Sequence, residues 1–243
     1  MGENYGKPDC KMPLLERFPF KPTRAPVVLD FWQSCLEPGP DFTTIGNWNQ
    51  DHKRHDVVLD GERYTWSKHH EFLKFLDLPA RSGQSFELAL SSRSLGETDR
   101  RLLEEKGWKI RDALELSSDL DVYRRYIAQS RGEYTVAKDQ NVRLRSGWFS
   151  ERSAQYLAAG RPVITQETGF SNILPTGQGL FAFSTMEELV GAVGALISSY
   201  ERHSRAATAL AREWFSYDVV LKQLLSDLGE PARVFPVKER VLV

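Results

Sequence analysis

The stretch that most restricts what this chain can become is RLRSGWFSERSAQYLAAGRPVITQETGF, residues 143–170. It opens with a polar, glycine-bearing loop made of Arg145, Ser146, Gly147, Trp148, Phe149 and Ser150. An apolar-faced helix follows and is ended by Gly160. The β-rich run Pro162, Val163, Ile164, Thr165 then leads into a second loop at Glu167, Thr168 and Gly169. Such a loop, helix, strand, loop unit suits an anionic ligand. Ser146 and Gly147 allow close backbone approach, and the unpaired N–H groups and positive dipole end of the helix face whatever lies over the loop. Arg145 and Arg152 add charge nearby. The second loop sits at the carboxyl end of a predicted strand, where ligands bind in open α/β sheets.

The same alternation runs through the chain from residue 41. Strands are expected at 42–45, 85–90, 108–110, 134–137, 162–165 and 180–183. Between them the sequence predicts a polar insertion over 52–66 with a turn at Asp60 and Gly61, and a helix from His69 to Leu76 that stops before Pro79. Helices over 97–106, closed by Gly107, and 119–129 come next. Two more finish the unit: 186–200, capped by Ser184 or Thr185 with Glu187 and Glu188 in its first turn, and 203–228, broken near Ser216. Strands alternating with helices imply an α/β fold, a Rossmann-like parallel sheet flanked by helices. Residues 1–41, interrupted by seven prolines, read as an irregular connector with a short strand at Val27, Val28 and Leu29. Its aromatics Tyr5, Phe18, Phe20, Phe31 and Trp32 are expected to pack on the globular part. The main domain spans 42–229, and 230–243 is a tail.

Charge narrows the partners. Lys plus Arg (32) and Asp plus Glu (33) nearly cancel over the 243 residues, so no global field favours nucleic acid or an anionic membrane. Any anion site is local. Cys10 and Cys35 match no metal or CxxC spacing, and no apolar run reaches the length of a membrane span, which points to a reduced cytoplasmic protein. His69 and His70 have no third ligand at useful spacing, so they read as an ordinary helix start and no metal centre is expected. His52 and His55 read as parts of a polar loop.

The later residues carry a resemblance. RSGWFSERSAQYLAAGRPVITQETGF, then LPTGQGLFAF and the helical tail TMEELVGAVGALISSYERHSRAATALAREWFS, resemble the C-terminal, nucleotide-sugar-binding half of GT-B glycosyltransferases. The likeness in element order covers roughly residues 42–228. It implies a nucleoside diphosphate sugar as donor substrate, with no other cofactor. By position it implicates Ser146, Gly147, Trp148 and Ser150 for the diphosphate, with Arg145 as a bidentate phosphate partner. Glu167, Thr168 and Gly169 would meet sugar hydroxyls. Asn47 and Trp48 would border the cleft and Lys138 would reach it. Gln155 stands where relatives often have a ribose-binding Glu, and a histidine often beside the GW pair is replaced here. Residues 1–41 are too short for the acceptor domain that precedes this one in the family. The resemblance therefore implies a piece of a larger enzyme, a partner domain or homo-oligomer, or a chain that has lost transfer and kept binding. Acceptor and catalytic base are unassigned. The competing expectation is a non-catalytic binding or assembly module on the same scaffold.

Overall fold

The computed structural model describes residues 2–14, 17, 20–33, 36–51 and 55–229. Cys35, Phe18, His52 and the tail over 230–243 lie outside the described residues. The strands are β1 (Asp41–Gly46), β2 (Val57–Leu59), β3 (Glu62–Tyr64), β4 (Ser85–Leu90), β5 (Lys109–Asp112), β6 (Gly132–Thr135), β7 (Val163–Gln166) and β8 (Leu180–Phe183). Six of them form one sheet in the order β5-β4-β1-β6-β7-β8, and all its pairs are parallel. β2 and β3 make a separate antiparallel hairpin, turned at Asp60 and Gly61, inside the insertion that the sequence marks as polar.

The helices are α1 (Leu29–Trp32), α2 (His69–Phe72), α3 (Leu78–Ser82), α4 (Glu97–Glu105), α5 (Ala113–Ser117), α6 (Leu120–Gln129), α7 (Asp139–Arg143), α8 (Glu151–Ala158), α9 (Met186–Ser198), α10 (Tyr200–Leu210) and α11 (Tyr217–Asp227). Period-two alternation in the strands decides which helices go where. Phe42, Phe86, Leu88, Tyr134, Ile164 and Phe183 point to one face and meet Phe72, Leu78, Leu103, Leu189 and Leu196. Their neighbours Val163 and Leu180 point to the other face, with Ala154, Leu157 and Leu210. Ile45 and Ala89 share that face with Leu116 and Tyr126. Both faces are covered, as a parallel sheet requires.

Several details differ from the sequence expectation. Pro79 does not mark the end of a helix; it is the second residue of α3, where its missing N–H has no partner to lose. β6 lies two residues earlier than its apolar run suggests. Val136 and Ala137 are buried but beyond the ladder, and the Ala137 N–H donates to the Gln166 side chain at 3.1 Å. The short helices α5 and α7 carry no long apolar period and were not expected. Val27 pairs through an isolated bridge with Ser216, while Leu29 belongs to α1 instead of a strand. Of the N-terminal aromatics Trp32 is buried, but Phe20 and Phe31 stay 49% and 36% exposed. Arg124 covers Phe31 from 4.0 Å, which screens the ring without burying it.

The expected start of α9 is present as a capping box. The Thr185 hydroxyl accepts from Glu188 N–H at 3.2 Å, and the Glu188 carboxylate accepts from Thr185 N–H at 3.2 Å. Thr185→Ala is expected to cost about 1 kcal/mol, read as a lower midpoint in urea unfolding at unchanged slope. An unaltered midpoint would mean that burial of Leu189 and Val193 holds α9 without its cap.

Candidate functional site

From β1 the chain runs outward through β4 and β5, and it then returns to place β6, β7 and β8 on the other side of β1. The strand order therefore reverses between β1 and β6, and the crevice at their carboxyl ends is the ligand position of such sheets. Three cations converge there. Arg152, in the first turn of α8, donates Nε to Glu133 at 2.6 Å, Nη2 to the Thr135 hydroxyl at 3.1 Å and Nη1 to the Ile45 carbonyl. Lys68, just before α2, reaches the same Thr135 hydroxyl at 3.3 Å and lies 4.9 Å over the Trp148 ring. Lys138 sits 3.5 Å over the Trp66 ring at the start of α7.

The fold creates this crowding. Glu133 and Thr135 are on the α8 face of β6, opposite Tyr134, so the strand's own alternation delivers a carboxylate and a hydroxyl to the helix start. Burial, with Arg152 and then Lys138 beside it, pushes the Lys68 ammonium well below the ordinary lysine value, although Glu133 opposes the shift. Burial acts most strongly on Arg152 and opposes its charge, but Glu133 together with Tyr123 and Tyr156 offsets it, and the guanidinium stays above its usual value. Tyr123 is pushed up to about 12 by burial and remains a neutral donor, giving its hydroxyl proton to Gln155 Oε1 at 2.8 Å. The cluster thus holds two partly desolvated lysines with one buried carboxylate already bonded to Arg152, which is a receptive setting for an anion.

The loops singled out by sequence meet a strap formed by the N-terminal residues. Asn4 N–H donates to the Ser146 carbonyl at 3.2 Å, Glu3 N–H to the Gly147 carbonyl at 3.3 Å, and the Asn4 amide to the Arg145 carbonyl at 2.8 Å. The close approach that Gly147 permits is that of Asn4: a Cβ at Gly147, whose φ is +76, would lie 2.2 Å from the Asn4 nitrogen. Gly169, φ +95, faces the Asn4 side chain in the same way. Arg145 donates Nε to Asp9 at 2.7 Å, and Asp9 is held below the usual carboxylate range by hydrogen bonds from Asn172, Asn4 and Arg145. Thr168 is buried and donates to the Trp148 carbonyl at 2.7 Å, while the Glu167 carboxylate accepts the Gly169 N–H.

Placement separates the expected residues into groups. Lys138 and Trp148 join the crevice, and Gln155 lies one turn along α8 from Arg152. Ser150 is the residue before α8, and its side chain makes no cap bond. Arg145, Ser146, Gly147, Glu167, Thr168 and Gly169 lie together under the strap. Asn47 is exposed beyond β1. Trp48, expected to border the cleft, is instead a core residue: it is fully buried, stacks on Phe72 and donates Nε1 to Asp99 at 2.7 Å. Sequence reasoning missed Lys68, whose local context, Trp66-Ser67-Lys68, reads as a solvated helix start. No local signal could have joined it to Thr135, since the contact crosses the crevice.

Neither a protein-family profile nor a curated protein matches the sequence. Solved structures do match the fold. A glycosyltransferase from Rickettsia africae superposes with a TM-score of 0.57 at 14% identity, over 84% of this chain and 55% of that one. HepE of Anabaena in complex with UDP-glucose gives 0.52 at 14%, over 84% and 56%. The C-terminal domain of LpcC, a group 1 glycosyl transferase from Francisella tularensis, gives 0.53 at 10%, over 78% and 98%. The chain has the α/β, Rossmann-like fold of GT-B glycosyltransferases. It spans about half the length of the first two, and nearly all of the isolated C-terminal domain.

Proposed function

We propose that the chain is the donor-binding domain of a GT-B glycosyltransferase and holds a nucleoside diphosphate sugar at the β1/β6 crevice. The observation that carries this reading is the convergence of Lys68, Lys138 and Arg152 where the strand order reverses. Lys68 and Lys138 bind the diphosphate and stabilise it as it departs, with Arg152 fixing the Thr135 edge. The Gln155 carbonyl is committed to Tyr123, which leaves its amide N–H groups for a ribose hydroxyl. HepE, with UDP-glucose bound, supports the ligand class. A donor sugar reaching Glu167, Thr168 and Gly169 has to displace Asn4, because the strap covers that loop.

A second domain or chain supplies the acceptor side, since the matched length is about half that of the larger enzymes. Cysteine usage fits a cytoplasmic setting. Among the described residues no helix is long and apolar enough to cross a membrane. Titration calorimetry of the full chain with UDP, GDP and TDP, and with sugars attached to each, tests the reading. Saturable binding of at least one diphosphate, weakening as salt rises, is expected. Folded protein that binds none of them would overturn it.

A further inference from the structure

Outside the crevice, the structure supplies the third ligand that the spacing of His69 and His70 lacks. Asp51, in the loop after β1, places a carboxylate oxygen 3.4 Å from Nε2 of His70 and 3.7 Å from Nε2 of His69. All three ligating atoms lie within 4.8 Å of one another. Ligands about 2.0–2.2 Å from a tetrahedral ion stand roughly 3.3 Å apart, so the cluster closes on an ion with side-chain shifts of about an ångström.

The bonding of Ser67 fixes the ring that matters most. Its hydroxyl accepts from Gln50 N–H at 2.9 Å, lies 3.2 Å from the Trp48 carbonyl and 2.7 Å from His69 Nδ1. A carbonyl can only accept, so the arrangement satisfying every partner has Ser67 donating to Trp48 and His69 Nδ1–H donating to Ser67. The lone pair of His69 is then on Nε2, facing Asp51. A polar group holding the far nitrogen is the usual support of a metal-bound imidazole. His69 itself is buried and steadied against Trp48, with ring centroids 6.1 Å apart. His70 and Asp51 remain 41% and 42% exposed in their side chains, so an ion can enter and a fourth position faces solvent.

We propose that Asp51, His69 and His70 form a three-ligand site for a divalent transition-metal ion of the zinc class. Two imidazoles and one carboxylate select such an ion over magnesium or calcium, which prefer all-oxygen sets. An ion there joins the loop after β1 to α2, beside Lys68 in sequence. The proposal is independent of whether the crevice binds a nucleotide sugar.

The test is titration of chelator-treated full chain with Zn2+ by calorimetry and with Co2+ by visible absorption. One equivalent is expected, with the intense cobalt bands of a low-coordinate site and a higher melting temperature at saturating Zn2+. His70→Ala and Asp51→Ala, at a half-buried and an exposed position, are each expected to weaken Zn2+ binding at least about tenfold. Their circular dichroism should stay unchanged. Failure of the native chain to bind one saturable equivalent would overturn the proposal. So would either variant binding Zn2+ as the native chain does, since that would assign the ion to another group such as Cys10.

Discussion

Lys68→Met is expected to remove most of the affinity for a nucleoside diphosphate while raising, not lowering, the melting temperature near neutral pH. The two effects share one cause. The Lys68 ammonium is half-buried, meets the charges of Arg152 and Lys138, and sits well below the ordinary lysine value of 10.5. A charge-assisted hydrogen bond to phosphate contributes about 1.5–3 kcal/mol, so its loss weakens binding roughly tenfold to a hundredfold. In the free protein the same charge is a burden, and an unbranched apolar side chain of similar length lifts it. The pH dependence follows in sign. Folding lowers this pKa, so between the lowered value and 10.5 the unfolded chain holds more protons and stability rises with pH. The contribution is lost as pH falls through the folded pKa. Melting curves from pH 7 to 10 should show this slope in the native chain and a flatter one in Lys68→Met. Ligand affinity runs the other way, falling as pH rises through the lowered pKa, because a bound diphosphate needs the charged form. A variant that binds UDP as tightly as the native chain would remove Lys68 from the site.

The fold was largely legible because its signals are local. Strands β1, β4, β7 and β8, the stop at Gly160, the cap at Thr185 and the break at Ser216 all lie within a residue or so of where periodicity and capping chemistry put them. What sequence could not supply was long-range juxtaposition. Lys68 meets Thr135, Asp51 meets His69 and His70, and Asn4 meets Gly147 in the folded chain, across separations that no local pattern spans. The glycines show the limit clearly. A glycine at 147 or 169 announces that something approaches the backbone, and here that something is Asn4. Trp48 shows the converse, a residue at the mouth of the sheet whose indole turns inward because Asp99 waits there for its N–H.

Arg152→Ala is expected to be the most destabilising single change at the crevice, costing about 3–5 kcal/mol. Glu133 is fully buried in the middle of the sheet, and Arg152 is its charged partner at 2.6 Å. The remaining contact on that oxygen is a long one from Thr44 at 3.4 Å, and among the described residues Oε2 has no hydrogen-bond partner. Removing the guanidinium therefore strands a buried carboxylate, frees the Ile45 carbonyl and leaves the Thr135 hydroxyl with Lys68 as its remaining cationic donor. The cost comes from the orphaned charge and not from the worth of the pair, which gives a second arm to the experiment. Arg152→Met combined with Glu133→Leu removes both charges and should recover most of the stability that Arg152→Ala loses. With urea slopes of about 2 kcal/mol per molar, the single variant should move the unfolding midpoint down by roughly 2 M and the double variant by far less. Equal losses in the two would show that Arg152 acts through packing on Ile45 and Thr135, not through its charge. Because Arg152 holds Thr135, and Thr135 receives Lys68, the double variant is also expected to bind UDP more weakly than the native chain even where its stability is restored.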